Sequence, residues 1–231
     1  MNTIKFIIAA VCLTAGFSVQ PVHAYVVSAT LTADNHYGLY HGNADASSLT
    51  FIGRNEFGPW GAPGAYNWSL PETHNFDTGS DNYLYVLAWD DKTVSQSWIG
   101  QFTGSEGTIF SNTTNWEYTV AAGPNPGDYG NVPLLSVVQN DISTATWNQP
   151  LASGANGIGP WGSIPGISPS AQFIWHDTFN TFGTTSREHY AIFRTELPET
   201  SSTVPEPAPL ALFGVGLAGM ALFTVRRKLA I

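Results

Sequence analysis

Three kinds of hydrophobic pattern follow one another along the chain. Phe6 to Phe17 is dominated by apolar residues, and so is Ala208 to Val225 near the other end. Between them, from about residue 25 to residue 198, apolar and polar positions alternate in short bursts broken by Gly, Pro, Asn and Asp. Alternation with a period of two is the mark of a strand with one buried face. It predicts strands near Val26–Thr32, Tyr37–Tyr40, Leu49–Ile52, Tyr83–Trp89, Ser97–Phe102, Trp116–Val120, Leu134–Val138, Gln172–Trp175 and Tyr190–Thr195. Tyr83 to Trp89 is almost wholly apolar, as expected of a central strand covered on both faces. No window in this region shows a helical period. Many short strands with frequent turns predict an all-β fold, a single β-sandwich or jelly roll over residues 25–198.

The two flanking runs carry different chemistry. Lys5 precedes the first run, which is too short to span a bilayer. Val22-His23-Ala24 follows with a small residue last, so residues 1–24 read as a signal peptide cut by signal peptidase between Ala24 and Tyr25. The only cysteine, Cys12, lies inside that run, and Ala9 stands where a lipoprotein signal would place Leu. The mature chain then has no disulfide, thiolate metal site or cysteine nucleophile, and its core alone must hold it together.

At the other end come a polar linker, residues 199–203, then Val204-Pro205-Glu206-Pro207, the apolar run 208–225, and Arg226-Arg227-Lys228. The run reaches the lower limit of a spanning helix. Three adjacent bases would keep the C-terminus cytoplasmic and leave the preceding domain outside. This three-part tail, 204–231, resembles the PEP-CTERM sorting signal of bacterial envelope proteins. The resemblance implies an exosortase as partner, export through the inner membrane to the cell envelope or outer surface, and removal of the tail near the motif. It also implies a host that makes exopolysaccharide and biofilm. Leu197-Pro198-Glu199-Thr200 competes as a sortase signal, but Ser201 stands where that signal needs Gly, and Leu70-Pro71-Glu72-Thr73 repeats the tetrapeptide inside the domain.

Within the domain, Ala33-Asp34-Asn35-His36-Tyr37-Gly38-Leu39-Tyr40-His41-Gly42 is similar to a strand of galactose-binding-like jelly rolls. Tyr83–Trp89 with Asp90-Asp91, Ser111–Tyr118 with Trp116, Ala171–Trp175, and Phe193-Arg194 are similar to further strands of the same modules. The last pair falls late in the chain, where many such modules open with it. This resemblance implies a jelly-roll fold.

Charge narrows the partners. Between Tyr25 and Thr203 four bases, Arg54, Lys92, Arg187 and Arg194, face 16 of the chain's 17 acids. That balance argues against nucleic acid or an anionic membrane as a partner of the domain. Only 11% of residues are charged, while 13% are aromatic, which suits a surface that meets sugars. Two loops share a pattern, Gly58-Pro59-Trp60-Gly61 and Gly159-Pro160-Trp161-Gly162. Trp60 and Trp161 either stack on pyranose rings or fold back to cap the sandwich. Asp34, Asp90 and Asp91 are candidates for a structural calcium, whose ligands are loop oxygens, although no EF-hand spacing is present. As turn residues they would instead bond their own backbone. No other cofactor is implied.

His36, His41, His74, His176 and His189 show no metal-ligand spacing, and no nucleophile elbow, phosphate loop or dinucleotide fingerprint occurs. The expectation is a non-enzymatic envelope or matrix protein that binds extracellular polysaccharide and touches the membrane through its C-terminal helix. A structural matrix or adhesion protein without a sugar site is one alternative. A polysaccharide-modifying enzyme, which needs two placed carboxylates, is the other.

Overall fold

The computed structural model describes residues 25–55, 68–91, 96–128, 130–177 and 188–198. The chain divides into units 1–200 and 201–231, and every described residue belongs to the first. The leader 1–24, Trp60, and the tail with its run 208–225 lie outside the described residues. Among the described residues no helix is long and apolar enough to cross a membrane.

Eleven strands and one long helix are described, and they build two packed antiparallel sheets, a β-sandwich. The first sheet contains β1 (Val26–Asp34), β4 (Glu72–Asp77), β6 (Ser97–Gly104), β9 (Leu151–Ala155) and β10 (Gln172–Trp175), in the order β4-β1-β6-β10-β9. β7 (Gly107–Phe110) folds back on β6 as a hairpin. The second sheet contains β2 (His36–Gly42), β3 (Leu49–Arg54), β5 (Tyr83–Trp89), β8 (Glu117–Pro124) and β11 (His189–Glu196), in the order β3-β2-β5-β11-β8.

Strand alternation sorts the side chains into three apolar layers. Val27, Ala29 and Leu31 of β1 face Leu84, Val86 and Ala88 of β5 in the central layer, with Trp98, Phe102, Trp116, Trp175 and Phe193. The other parity of β5, Tyr85, Leu87 and Trp89, points to the outer face of the second sheet. There it meets Tyr40, Tyr190, Ile192, and Val138 and Ile142 of helix α1 (Leu135–Ser143). The outer face of the first sheet, Ile99 and Phe173, is covered by Trp161, Ile164 and Ile167 from the connection before β10. The second sheet is therefore apolar on both sides, which is why β5 reads as continuously hydrophobic. The outer face of the first is apolar only under that connection and carries exposed threonine pairs, Thr30–Thr73 and Thr103–Thr108, elsewhere.

The sequence pattern located nine segments as strands, and eight are. The ninth, Leu134–Val138, is the start of α1. Its run of Leu and Val mimics a strand, but the buried positions are Val138, Asp141 and Ile142, the spacing of one helical face. Leu134 provides no side-chain cap and no acid or base supports either end. Nine residues without caps make a marginal helix in isolation. Packing against the sheet selects it. β4, β7 and β9 escaped the pattern because two are mostly exposed edge strands and β7 has only four residues.

If packing holds α1, Ile142→Ala should destabilise the domain by about 2–5 kcal/mol. Leu134→Gln, exposed and without a capping hydroxyl, should change it by no more than about 0.5 kcal/mol. Urea unfolding of the two variants checks the contrast.

Candidate functional site

Loops from both sheets converge where β1 ends and β2 begins. Asp34 pairs with Ser97 at the start of β6, and His36 with Trp89 at the end of β5. Three buried asparagines join the loops. Asn55 accepts from the Tyr37 backbone N–H at 3.0 Å and donates to the Asn35 carbonyl at 2.8 Å. Asn35 Oδ1 accepts from the Asp91 backbone N–H at 2.8 Å. Asn125 donates to the backbone and side-chain oxygens of Asp90 and accepts from the Gly127 N–H. An amide side chain offers both donor and acceptor, so it can satisfy backbone groups that no ladder reaches. Trp89 adds a bond from its indole N–H to the Gly127 carbonyl at 3.1 Å.

Trp161, a candidate for sugar stacking, is only 3% exposed. Its ring stacks on Phe173 with centroids 4.4 Å apart and 15° between planes. Its Nε1 donates to Asp34 Oδ2 at 2.9 Å. Of the two readings the structure selects the cap: the ring has no surface left for a pyranose. Asn156 fixes the rest of this loop, donating to the Ile164 and Ile167 carbonyls and accepting from the Ile164 N–H. Trp60 lies outside the described residues.

Asp34, Asp90 and Asp91 do come together. Burial, opposed by the Trp161 bond and reinforced by the charges of Asp91 and Asp90, pushes the Asp34 carboxyl up to about 7. Asp34 accepts from Trp161, and Asp90 accepts from Asn125. Among the described residues no group of three or more His, Cys, Asp and Glu side chains is arranged to hold a metal ion. The histidines also fall into separate surroundings. His36 stacks on Trp89 with centroids 5.3 Å apart, and burial lowers it to about 4 despite Asp128 at 3.5 Å. His41, five residues along β2 and so on its other face, meets Asp81 at 2.7 Å.

The far end of the second sheet carries a cluster that the sequence did not reveal. Arg194 on β11 lies directly opposite Glu117 on β8. Its Nε and Nη2 donate to Glu117 Oε2 at 3.1 and 2.9 Å, and its Nη1 donates to the Ala44 carbonyl at 3.4 Å. The guanidinium carbon sits 3.9 Å from the ring centroid of Trp147 and 5.2 Å from that of Tyr83. Both rings are half-buried, and Asp45, Ser47 and Asn148 nearby are exposed.

Beyond the described domain, comparison with known families bears on the tail. Residues 203–228 match the PEP-CTERM protein-sorting motif. The match supports an exported protein sorted by an exosortase and is consistent with the cell envelope as its location. No curated protein and no solved structure matches the chain.

Asp34 makes the stability of this end depend on pH. Its native value lies above the ordinary carboxylate range, so the native state binds the proton more tightly than the unfolded chain. The stabilisation that results is full below about 4 and is lost as pH rises toward 7. Asp34→Asn keeps an oxygen for Trp161 but cannot ionise. The melting temperature of this variant relative to the parent should therefore rise between pH 4.5 and pH 8. A flat difference in scanning fluorimetry would place Asp34 in the ordinary carboxylate range.

Proposed function

We propose that the chain is an exported envelope protein, sorted by an exosortase, whose β-sandwich is a non-catalytic jelly-roll module for extracellular polysaccharide. The observation that carries this reading is the sorting motif at 203–228 behind a domain built as a β-sandwich. In this reading signal peptidase removes residues 1–24. The run 208–225 then holds the chain in the inner membrane, with Arg226, Arg227 and Lys228 on the cytoplasmic side, until the exosortase acts near Val204-Pro205-Glu206-Pro207. The acidic, cysteine-poor composition suits a polysaccharide ligand better than a nucleic acid or an anionic lipid. An open cleft of about 490 Å³ between Ile109, Asn115 and Thr195–Pro198 contains one carboxylate, Glu196. Glycoside hydrolysis needs two, and among its described lining residues the cleft presents one.

A second reading is a matrix or adhesion protein that contacts other proteins. What favours it is the outward side of α1, where Leu134, Leu135 and Val137 are 74%, 42% and 39% exposed.

The intact mass of the protein recovered from its native envelope or medium tests the sorting. We expect a chain that lacks Met1–Ala24 and the segment beyond Pro207, and that keeps its tail when the exosortase is deleted. A wild-type host that yields the intact C-terminus would make the tail a permanent anchor and remove the exosortase from the account.

A further inference from the structure

The cluster around Arg194 has the features of a built aromatic shelf. Tyr83, Glu117 and Arg194 stand on β5, β8 and β11, three adjacent strands of one sheet. Trp147 comes from the segment that follows α1 and is held beside them by the paired backbones of Tyr118 and Asn148. Arg194 is 16% exposed and Glu117 50% exposed at the side chain, so the cation is mostly enclosed and its carboxylate partner is half in water. A planar guanidinium laid against two rings fixes both of them, since stacking and the Glu117 bonds share one geometry. Rings fixed before a ligand arrives lose little side-chain freedom on binding.

We propose that Trp147 and Tyr83 form a binding shelf for a neutral glycan chain, with Glu117, Asp45 and Asn148 beside it as hydrogen-bonding groups for sugar hydroxyls. This rests on the polysaccharide reading above and gives it a location. The flat apolar parts of an indole and a phenol match the C–H face of a pyranose, while carboxylates and amides match its hydroxyls. Charge selects among glycans. Among the described residues the one cation of the cluster, Arg194, is already bonded to Glu117, and Asp45 leaves the surroundings negative. A uronate or sulfate chain would meet repulsion from these carboxylates. A hexose or N-acetylhexosamine chain would not.

Affinity electrophoresis of the full-length protein tests this, in gels cast with hydroxyethyl cellulose, laminarin or glycol chitin as neutral probes and alginate as an acidic one. We expect retardation by at least one neutral probe and none by alginate. Trp147→Ala and Tyr83→Ala should weaken that binding at least about tenfold, read at a temperature where both variants are still folded. If Trp147→Ala unfolds, the parent protein still decides: the retarding glycan should protect Trp147 from oxidation by N-bromosuccinimide, as mapped by mass spectrometry. Neutral-probe binding that survives both substitutions and leaves Trp147 unprotected would overturn the shelf and leave the polysaccharide reading standing. Retardation by alginate alone would overturn the charge argument and the shelf with it. No retardation by any probe would overturn both readings.

Discussion

Much in this domain depends on covering apolar side chains on the outer faces of its two sheets, across the whole of the second and at the Ile99–Phe173 patch of the first. A sandwich normally hides one layer of side chains between its sheets and leaves the outer faces to water. Here Tyr85, Leu87 and Trp89 on one sheet, and Ile99 and Phe173 on the other, place a second and third layer outside the first. Aromatic and aliphatic area of that size cannot remain wet without a large free-energy cost. The connections on either side of β9 exist to cover it. Helix α1 lies on one face, and the Trp161 loop lies on the other. With no cysteine in the domain, these coverings replace cross-links as the means of holding long connections in place.

The coverings also explain the polar chemistry. A Trp folded inward to close a face brings an indole N–H that needs an acceptor, and Asp34 at the end of β1 supplies one. Asp34 is then drawn out of water beside Asp90 and Asp91, and its proton affinity rises. On the other face Arg194 serves a related purpose, tying the segment after α1 to the sheet through Trp147 while Glu117 balances its charge. In both places a side chain that closes a layer has imposed a polar partner on the sheet beneath it.

The sandwich was legible in the sequence because strand alternation is a local signal. β5 shows this best: seven consecutive residues, nearly all apolar, announced a strand buried on both sides. Leu134–Val138 shows where the local signal fails, because two turns of helix and a short strand share a run of Leu and Val. Only the distance between Val138 and Ile142, read against a sheet that the sequence does not display, separates them. The candidate site followed the same rule. The Gly-Pro-Trp-Gly pattern picked out Trp161 as special, but whether it faces water depends on Phe173 and on Asp34, which is 127 residues away. The Arg194 cluster joins residues separated by as many as 150 positions. Although Tyr83, Glu117 and Arg194 each fall in a segment that resembles a jelly-roll strand, no spacing links them. Spacing along the chain carries no trace of such a meeting.

The place of β11 in its sheet has a mechanical meaning for an exported protein with a sorting motif behind it. It is the last described strand before the sorting motif, and it is paired on both edges, to β5 and to β8. Tension transmitted along the strand from the chain beyond it would load two hydrogen-bonded ladders in shear, so that many bonds must yield together. A strand at the sheet margin pulled across its axis would open one bond at a time, like a zip. β1, near the other end of the domain, is likewise flanked on both sides, by β4 and β6. The domain is thus gripped at both ends by interior strands, the arrangement best able to resist flow or traction.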